Sequence, residues 1–209
     1  FEAAVEQVRK HRALLRNPDT GLWCQGRGWE AADVERTSPG AWARGQGWVL
    51  RGLTDALLAI PADRPESGEL QGTVHELLTA LRLQQDTDGF FHCLVDEPAR
   101  ASAPETSGTA LTAMAGYRAL GWSLMDGDAW WRMADQAFWA VCGRIDEQGQ
   151  VHGACAGPGP LNRRHRAHCR GQCRSTDRAH GAFTLLYACA ARAVAQRIRA
   201  RLMAGTSRG

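Results

Sequence analysis

The spacing of the apolar residues constrains this chain more than any other feature of its sequence. Aliphatic residues recur every three or four positions in two stripes, which consist of Val49, Leu53, Leu57 and Ile60, and of Leu70, Val74, Leu77, Leu78 and Leu81. Positions spaced in this way share one face of a helix, so each stripe predicts an amphipathic helix. Pro61 cannot continue the first helix, and the Pro-Glu-Ser-Gly sequence at 65–68 predicts the turn before the second. Together the two segments predict a helical hairpin.

Three later segments show similar spacing. They predict helices over about 107–120, 128–143 and 179–203. No stretch alternates polar and apolar residues with the period of two that marks a half-buried strand. We therefore expect an all-α protein, with a single helical-hairpin domain over residues 1–203 and a flexible tail over 204–209.

A short turn sequence recurs along the chain. It reads Asp19-Thr-Gly-Leu-Trp, Asp88-Gly-Phe-Phe-His and Asp146-Glu-Gln-Gly-Gln-Val-His, with an acid and a glycine before an aromatic or β-branched residue each time. The intervals between these turns each fit two helices and their connections. Such a repeat predicts stacked hairpins, which can close into a double-layered helical ring. A ring of six hairpins needs far more than 209 residues, so the chain is either an open arc or part of a ring whose remainder is absent. We favour the second, because an open arc leaves apolar faces uncovered at its ends.

Composition excludes several classes of protein. The apolar share of 44% and the charged share of 22% are typical of a packed globular fold and exclude wholesale disorder. A net charge of +3 does not indicate a nucleic-acid partner. No apolar run approaches the roughly 18 residues of a membrane span, and residues 1–16 do not resemble a signal peptide. These features predict no membrane association and favour a cytoplasmic location.

The seven cysteines are an odd number and lie too far apart for a disulfide scaffold, so we expect reduced thiols. One cluster, His165-Arg-Ala-His-Cys-Arg-Gly-Gln-Cys173, holds two histidines and two cysteines, which are ligands that suit zinc. The spacing is not that of a zinc finger, and His168 and Cys169 are adjacent. We interpret the cluster as a solvated insertion and predict no metal site.

The stretch that indicates chemistry is Trp42-Ala-Arg-Gly-Gln-Gly-Trp48, at the start of the first predicted hairpin. In a helix, Arg44 and Trp48 stand one turn apart on one face. A guanidinium binds a carboxylate with two parallel hydrogen bonds, and an indole offers a flat face to a sugar ring. Arg44 therefore suits the carboxylate of a uronic acid, and Trp42 or Trp48 its ring. The alternative is that both tryptophans are core residues and that Arg44 pairs with a nearby acid.

This stretch resembles the signature of the unsaturated rhamnogalacturonyl and unsaturated glucuronyl hydrolases. Further motifs of that family follow in the family's order, at 83–92, 95–98, 105–114, 121–122, 153–157 and 180–186. The match extends from about Asp19 to Ala190. The resemblance implies the (α/α)₆ barrel, which agrees with the hairpin repeat and would place about half of that ring in this chain.

The resemblance also implies an activity, a glycoside hydrolase that hydrates the C4=C5 double bond of an unsaturated galacturonyl or glucuronyl residue. The substrate is an oligosaccharide made by a polysaccharide lyase, and no cofactor is needed. The family's catalytic aspartates lie well upstream of the motif at Trp42, so we expect them outside this chain. No catalytic residue is assigned here. Trp42, Arg44, Trp48 and Gln25 are the predicted substrate-binding residues.

Gln25 is a departure from the family. It stands where the family usually has a histidine, after Gly21-Leu-Trp-Cys. Glutamine can hydrogen-bond a sugar hydroxyl but cannot shuttle a proton. Among the other motif residues, we expect the Glu105-Thr-Ser sequence to cap a helix rather than to contact the substrate, because hydroxyl oxygens satisfy the free amides of a first turn. Asp86, Asp88 and Asp96 are typical turn acids, and His92 fits a turn as well as a site.

Two other functions stay open. A catalytically inactive remnant would act as a carbohydrate-binding or interaction module, and the absent aspartates and Gln25 favour it. A sugar epimerase on a related helical ring would need histidine pairs on barrel helices, for which His75 is the main candidate. The sequence does not predict the oligomeric state.

Overall fold

The computed structural model describes residues 1–28, 33–97, 102–155 and 178–206. These residues form helices joined by turns, and the β-bridges between them are isolated pairs rather than strands. The helices are α1 (Glu2–Leu15), α2 (Ala43–Ala59), α3 (Pro65–Arg82), α4 (Thr106–Gly121), α5 (Asp128–Cys142) and α6 (Arg178–Thr206). The predicted all-α class is confirmed, and the predicted helices lie within a few residues of the observed ones. The domain limits at 203 and 204 stay a prediction.

The turn predicted at 65–68 is wrong. Pro65 is the first residue of α3, and the connection from α2 is made by residues 60–64. Proline is favoured at the first helical position, because its fixed φ suits a helix and its missing amide would have no partner there. The Pro-Glu-Ser-Gly sequence therefore starts the helix instead of preceding it.

The helices form two layers. Contacts from α2 to α4 run in the same order along both helices, with Gly108 against Ala43, Leu111 against Gly47, and Arg118 bonded to Asp55. These two helices are therefore parallel. On its other side, α4 packs against α6. The other layer contains α1, α3 and α5, and ion pairs join α1 to α3.

Helix α4 lies at the centre of the core. It packs against α2, α3, α5 and α6, and nearly all of its residues are buried. A Cβ atom at Gly108 would lie 2.5 Å from the carbonyl carbon of Ala43, and one at Gly47 would lie 2.7 Å from the Cβ of Leu111. Such distances are too short for any side chain. The two glycines therefore permit the close approach of α2 and α4.

The recurring turn is a real structural repeat, but the predicted acid accepts the turn amides in only one copy, at Asp146. In the other two copies the acceptor lies two residues before the predicted Asp88 and Asp19. In one copy, Asp86 Oδ1 accepts from the amides of Asp88 and Phe90, and its other oxygen lies 2.7 Å from His92 Nε2. In the next copy, Asp146 holds the amides of 148 and 150 and the ring of His152 in the same way. Gly89, Gly149 and Gly21 all have φ between +70° and +90°, a conformation that favours glycine. In the turn with Gly21, the side chain that accepts from the amides is that of Asn17.

One surface of α6 is apolar and exposed, as expected for part of a helical ring. Leu186 is 69% exposed and Val194 is 57% exposed, whereas Ala188 on another side of the helix is fully buried. Apolar surface of this kind is normally covered by a neighbouring element.

The expectation that the thiols are reduced is wrong at Cys93, which is disulfide-bonded. Cys24, Cys142, Cys155 and Cys189 are free. Sequence spacing does not show which cysteines a fold brings together, so composition could not identify the exception. The cluster His165–Cys173 lies outside the described residues. Within the described ranges, no group of three or more His, Cys, Asp or Glu side chains is placed to hold a metal ion, and no helix is long and apolar enough to cross a membrane.

Candidate functional site

The motif at Trp42 forms the start of α2. Trp42 is the N-cap residue with extended backbone angles, and the amide of Ala43 donates to the carbonyl of Cys93 at 3.1 Å. Trp42 is also buried, in a small apolar cluster with Cys93, Leu94 and Cys155. These contacts fix the start of α2 against two neighbouring loops. Arg44, which lies in the first turn of α2, is positioned by them.

Arg44 is held by three acceptors. Its Nε donates to Ser107 Oγ at 2.7 Å, and its Nη2 donates to Glu105 Oε1 at 3.2 Å and to the carbonyl of Cys155. Its Nη1 forms no hydrogen bond with the described residues, and 17% of the side chain is exposed. The structure thus pairs Arg44 with a nearby acid, and the Nη1 group of the guanidinium has no hydrogen-bond partner among those residues.

Glu105 is the acid that holds Arg44. It is 1% exposed and caps α4, accepting from the amides of Ser107 at 3.3 Å and Gly108 at 2.5 Å. It also accepts from Ser107 Oγ at 2.7 Å and from the amide of Cys155 at 3.0 Å. The helix dipole favours a negative charge at this end, and Arg44 supplies the positive charge that a buried carboxylate requires. The prediction that this segment caps a helix is confirmed, but the accepting atoms are the carboxylate oxygens of Glu105 and not the hydroxyl oxygens on which the prediction was based.

The two tryptophans differ in what they offer to a ligand. Trp42 is 7% exposed and is the buried N-cap residue of α2. Trp48 is only partly buried and packs against the edge of the main core. The alternative in which both tryptophans are core residues therefore describes Trp42 well and Trp48 only in part.

Gln25 lies against Gly45, the residue that follows Arg44 in α2. The hydroxyl of Ser38 accepts from the amides of Gln25 and Gly26 at 2.8 and 3.1 Å, which positions this loop. A Cβ atom at Gly45 would lie 2.3 Å from Gln25 Oε1, so Gly45 makes room for the glutamine. Burial raises the pKa of the neighbouring Cys24 thiol. Neither residue at this turn is therefore placed to exchange a proton near neutral pH.

The histidine and the acids of the neighbouring loop serve the fold. His92 is buried, and its ring nitrogens lie 2.7 Å from Asp86 Oδ2 and 2.6 Å from the carbonyl of Ser102. Asp96 Oδ1 accepts from the amide of Ala41 at 2.9 Å. These contacts support the interpretation of His92, Asp86 and Asp96 as turn residues.

Sequence reasoning missed Arg51, which lies on the same side of α2 as Arg44 and Trp48. Its guanidinium carbon is 4.1 Å from the ring centre of Tyr187, 5.3 Å from that of Trp48 and 5.6 Å from that of Phe183. The helical spacing of residues 44, 48 and 51 could have shown their shared face. The approach of α6 to this face could not be read from the sequence.

Comparison with known families decides the affiliation of this chain. The model of Glycosyl Hydrolase Family 88 matches residues 1–192, nearly the entire chain. The chain belongs to Glycosyl Hydrolase Family 88. A comparison with curated proteins finds no significant match.

Solved structures confirm the fold. A possible member of the GH105 family from Salmonella enterica serovar Paratyphi A matches with a TM-score of 0.77 and 23% identity, over 96% of this chain and 50% of that one. A possible GH105 member from Klebsiella pneumoniae gives 0.76 and 24%, over the same shares. A glycosyl hydrolase family 88 protein from Bacteroides vulgatus gives 0.72 and 17%, over 92% and 53%.

The chain therefore spans about half the length of the structures it matches. This agrees with the expected fold, in which the six helices of the described residues make up about half of an (α/α)₆ barrel. The roles of Trp42, Arg44, Trp48 and Gln25 in this family 88 chain stay predictions, because the comparisons concern the fold and the family.

Proposed function

We propose that this chain is the substrate-binding part of a glycoside hydrolase that releases unsaturated galacturonyl or glucuronyl residues from lyase-made oligosaccharides. The observation that carries the proposal is the arginine at the start of α2. Glu105, Ser107 and the carbonyl of Cys155 hold Arg44 in one orientation, and Trp48 stands one helical turn away. This arrangement suits a sugar ring that bears a carboxylate.

Each residue has a distinct task in the proposed site. Arg44 donates from Nη1 to the uronyl carboxylate, since its other donors are already engaged within the protein. Trp48 covers one face of the ring, and Gln25 hydrogen-bonds a sugar hydroxyl. Trp42, which is buried, keeps the start of α2 in place. Because Arg44 is fixed before the ligand arrives, binding costs little side-chain entropy.

The proposed reaction is hydration of the C4=C5 double bond. A proton adds to C4 and a water oxygen to C5, and the resulting hemiketal opens with loss of the glycosidic bond. The reaction needs a proton donor and a positioned water. Within the described part of the site, the acid is Glu105, which is buried and paired with Arg44. We assign the acid–base aspartate to the half of the barrel that these 209 residues do not contain.

The test is turnover of an unsaturated uronyl disaccharide, followed as loss of the ultraviolet absorbance of its double bond. The chain is compared with an upstream-extended version that completes the barrel. We expect turnover only by the extended protein, and at least a hundredfold loss with Arg44→Ala, an effect on the order of 3 kcal/mol. Arg12→Ala serves as the matched control, because Arg12 in α1 pairs with Glu76 in α3, away from the motif at Trp42. This variant should keep its activity within twofold.

A second function, carbohydrate binding without catalysis, is favoured by Gln25 and the raised pKa of Cys24. Glutamine has no proton to exchange, and a thiol whose pKa is raised above its ordinary value stays protonated near neutral pH. In that case both folded proteins would bind the disaccharide in a calorimeter and neither would change its absorbance.

A further inference from the structure

The side of α2 that carries Arg44 and Trp48 also carries a second cation, Arg51. Positions 44, 48, 51 and 55 follow one another at helical spacing and share this face. The Arg51 guanidinium lies among the rings of Trp48, Phe183 and Tyr187, at 4.1 to 5.6 Å from their centres. Its Nη2 donates to the hydroxyl of Tyr187 at 2.8 Å, which joins α2 to α6. The position of the Arg51 guanidinium is therefore set by contacts with both helices.

Charge distinguishes the two arginines. Glu105 neutralises Arg44, whereas Arg51 shares a single carboxylate with Arg118. Asp55 accepts from Arg51 Nε at 3.3 Å and from Arg118 Nη1 at 2.6 Å. Neither arginine forms an ion pair with any other acid among the described residues. Two cations and one anion leave one positive charge at this cluster.

Arg51 has the means to bind a ligand. About a quarter of its side chain is exposed, and its Nη1 makes no hydrogen bond with the described residues. The ring of Phe183 beside it is 45% exposed and offers an apolar face to the C–H side of a pyranose. A guanidinium with an unneutralised charge beside an open aromatic ring suits an acidic sugar.

Arg44 and Arg51 serve different parts of a ligand. Seven residues along a helix separate them by about 10 Å, and each is tied to its own protein partners. One carboxylate therefore cannot engage both.

We propose that Arg51 and Phe183 form a second subsite that binds the acidic group of a second sugar unit, while the uronyl group of the first lies at Arg44 and its ring lies against Trp48. The inference rests on the proposed function. It adds a substrate preference, for unsaturated oligosaccharides with two acidic units over those whose second unit is neutral.

The test is calorimetric binding by the 209-residue chain at low salt, where exposed charges are least screened. Two unsaturated disaccharides are compared, one with two uronyl units and one with a uronyl unit linked to a neutral sugar. We expect about tenfold tighter binding of the dianion, the effect of one charge-assisted hydrogen bond at a partly exposed site. Arg51→Met, which keeps an apolar stem on the rings, should bring the affinity for the dianion down to that for the monoanion.

A second variant acts in the opposite direction. Asp55→Asn removes the shared carboxylate and should increase the preference for the dianion. Circular dichroism verifies that both variants are folded. Equal affinities of the unaltered chain for the two disaccharides would overturn the subsite alone, as would an unchanged preference in Arg51→Met. Absence of binding to either disaccharide would overturn the proposed function as well.

Discussion

Replacement of Glu105 is the sharpest test of how this site is built. Glu105 is 1% exposed and accepts from two amides of α4, the amide of Cys155, Ser107 Oγ and Arg44. With Glu105→Ala, the lost helix cap costs about 1 kcal/mol, and the amide of Cys155 left without an acceptor costs about 1 to 2 kcal/mol. Removal of one partner of a buried ion pair costs about 3 to 5 kcal/mol.

These effects overlap, so they do not add in full. Arg44 also keeps Ser107 and the carbonyl of Cys155 as acceptors, which reduces the cost of its unpaired charge. We therefore expect a total loss of about 4 kcal/mol of unfolding free energy. Glu105→Gln keeps the shape and one carbonyl oxygen but loses the charge, and it should cost about half as much.

The assay is urea unfolding, followed by circular dichroism and by tryptophan fluorescence. With a denaturant dependence of about 2 kcal/mol per molar urea, Glu105→Ala should lower the midpoint by about 2 M. A double-mutant cycle with Arg44→Met isolates the ion pair, and we expect a coupling of about 1 to 2 kcal/mol. A total loss below about 1 kcal/mol, or a coupling near zero, would refute the view that Glu105 and Arg44 form one unit.

Three further predictions follow from the packing and the charges. Gly47→Val should cost about 1 to 3 kcal/mol in urea unfolding, because a Cβ would lie 2.7 Å from an α4 leucine; Gly52→Ala, with no atom within 4 Å, should be neutral or stabilising. The hydrogen bond from His152 lowers the pKa of Asp146. The stabilisation that the ionised Asp146 carboxylate gives to the folded state is therefore present above the ordinary pKa of an aspartate, and it is lost as the pH falls through the lowered pKa. The melting temperature should fall more steeply below pH 4 in the unaltered chain than in Asp146→Asn, and parallel curves would contradict this. Leu186→Glu should reduce binding of a hydrophobic dye with little change in stability, whereas Ala188→Glu, on the buried face, should prevent folding; equal effects would contradict the described orientation of α6.

The helices and their pairing could be predicted from the sequence, because helical periodicity is a local property. The aliphatic stripe at 70–81 falls within α3, and the stripe at 49–60 falls within α2 apart from Ile60, its C-cap residue. The recurring turn has the same hydrogen bonds at Asp86 and at Asp146. The boundary at Pro65 was wrong because proline is favoured both in turns and at the first position of a helix. The local sequence pattern alone does not distinguish a turn from the start of a helix at this proline.

The candidate site was predictable only in part. The sequence identified Arg44 and Trp48 as neighbours on one face of a helix, since that relation depends on spacing within a few residues. It did not identify Glu105 as the partner of Arg44, nor the approach of Phe183 and Tyr187 to Arg51. Those pairs lie far apart along the chain.

The sequence by itself determined the fold class, the hairpin repeat and the family of this protein, because each of these follows from the local spacing of residues and from the order of the motifs. Only the tertiary structure decided where the charges lie. It neutralised Arg44 with a buried carboxylate and left Arg51 and Arg118 to share one. The physical reason is that the net charge of a site depends on which helices pack together, and close packing of α2 on α4 brings those residues within hydrogen-bond distance.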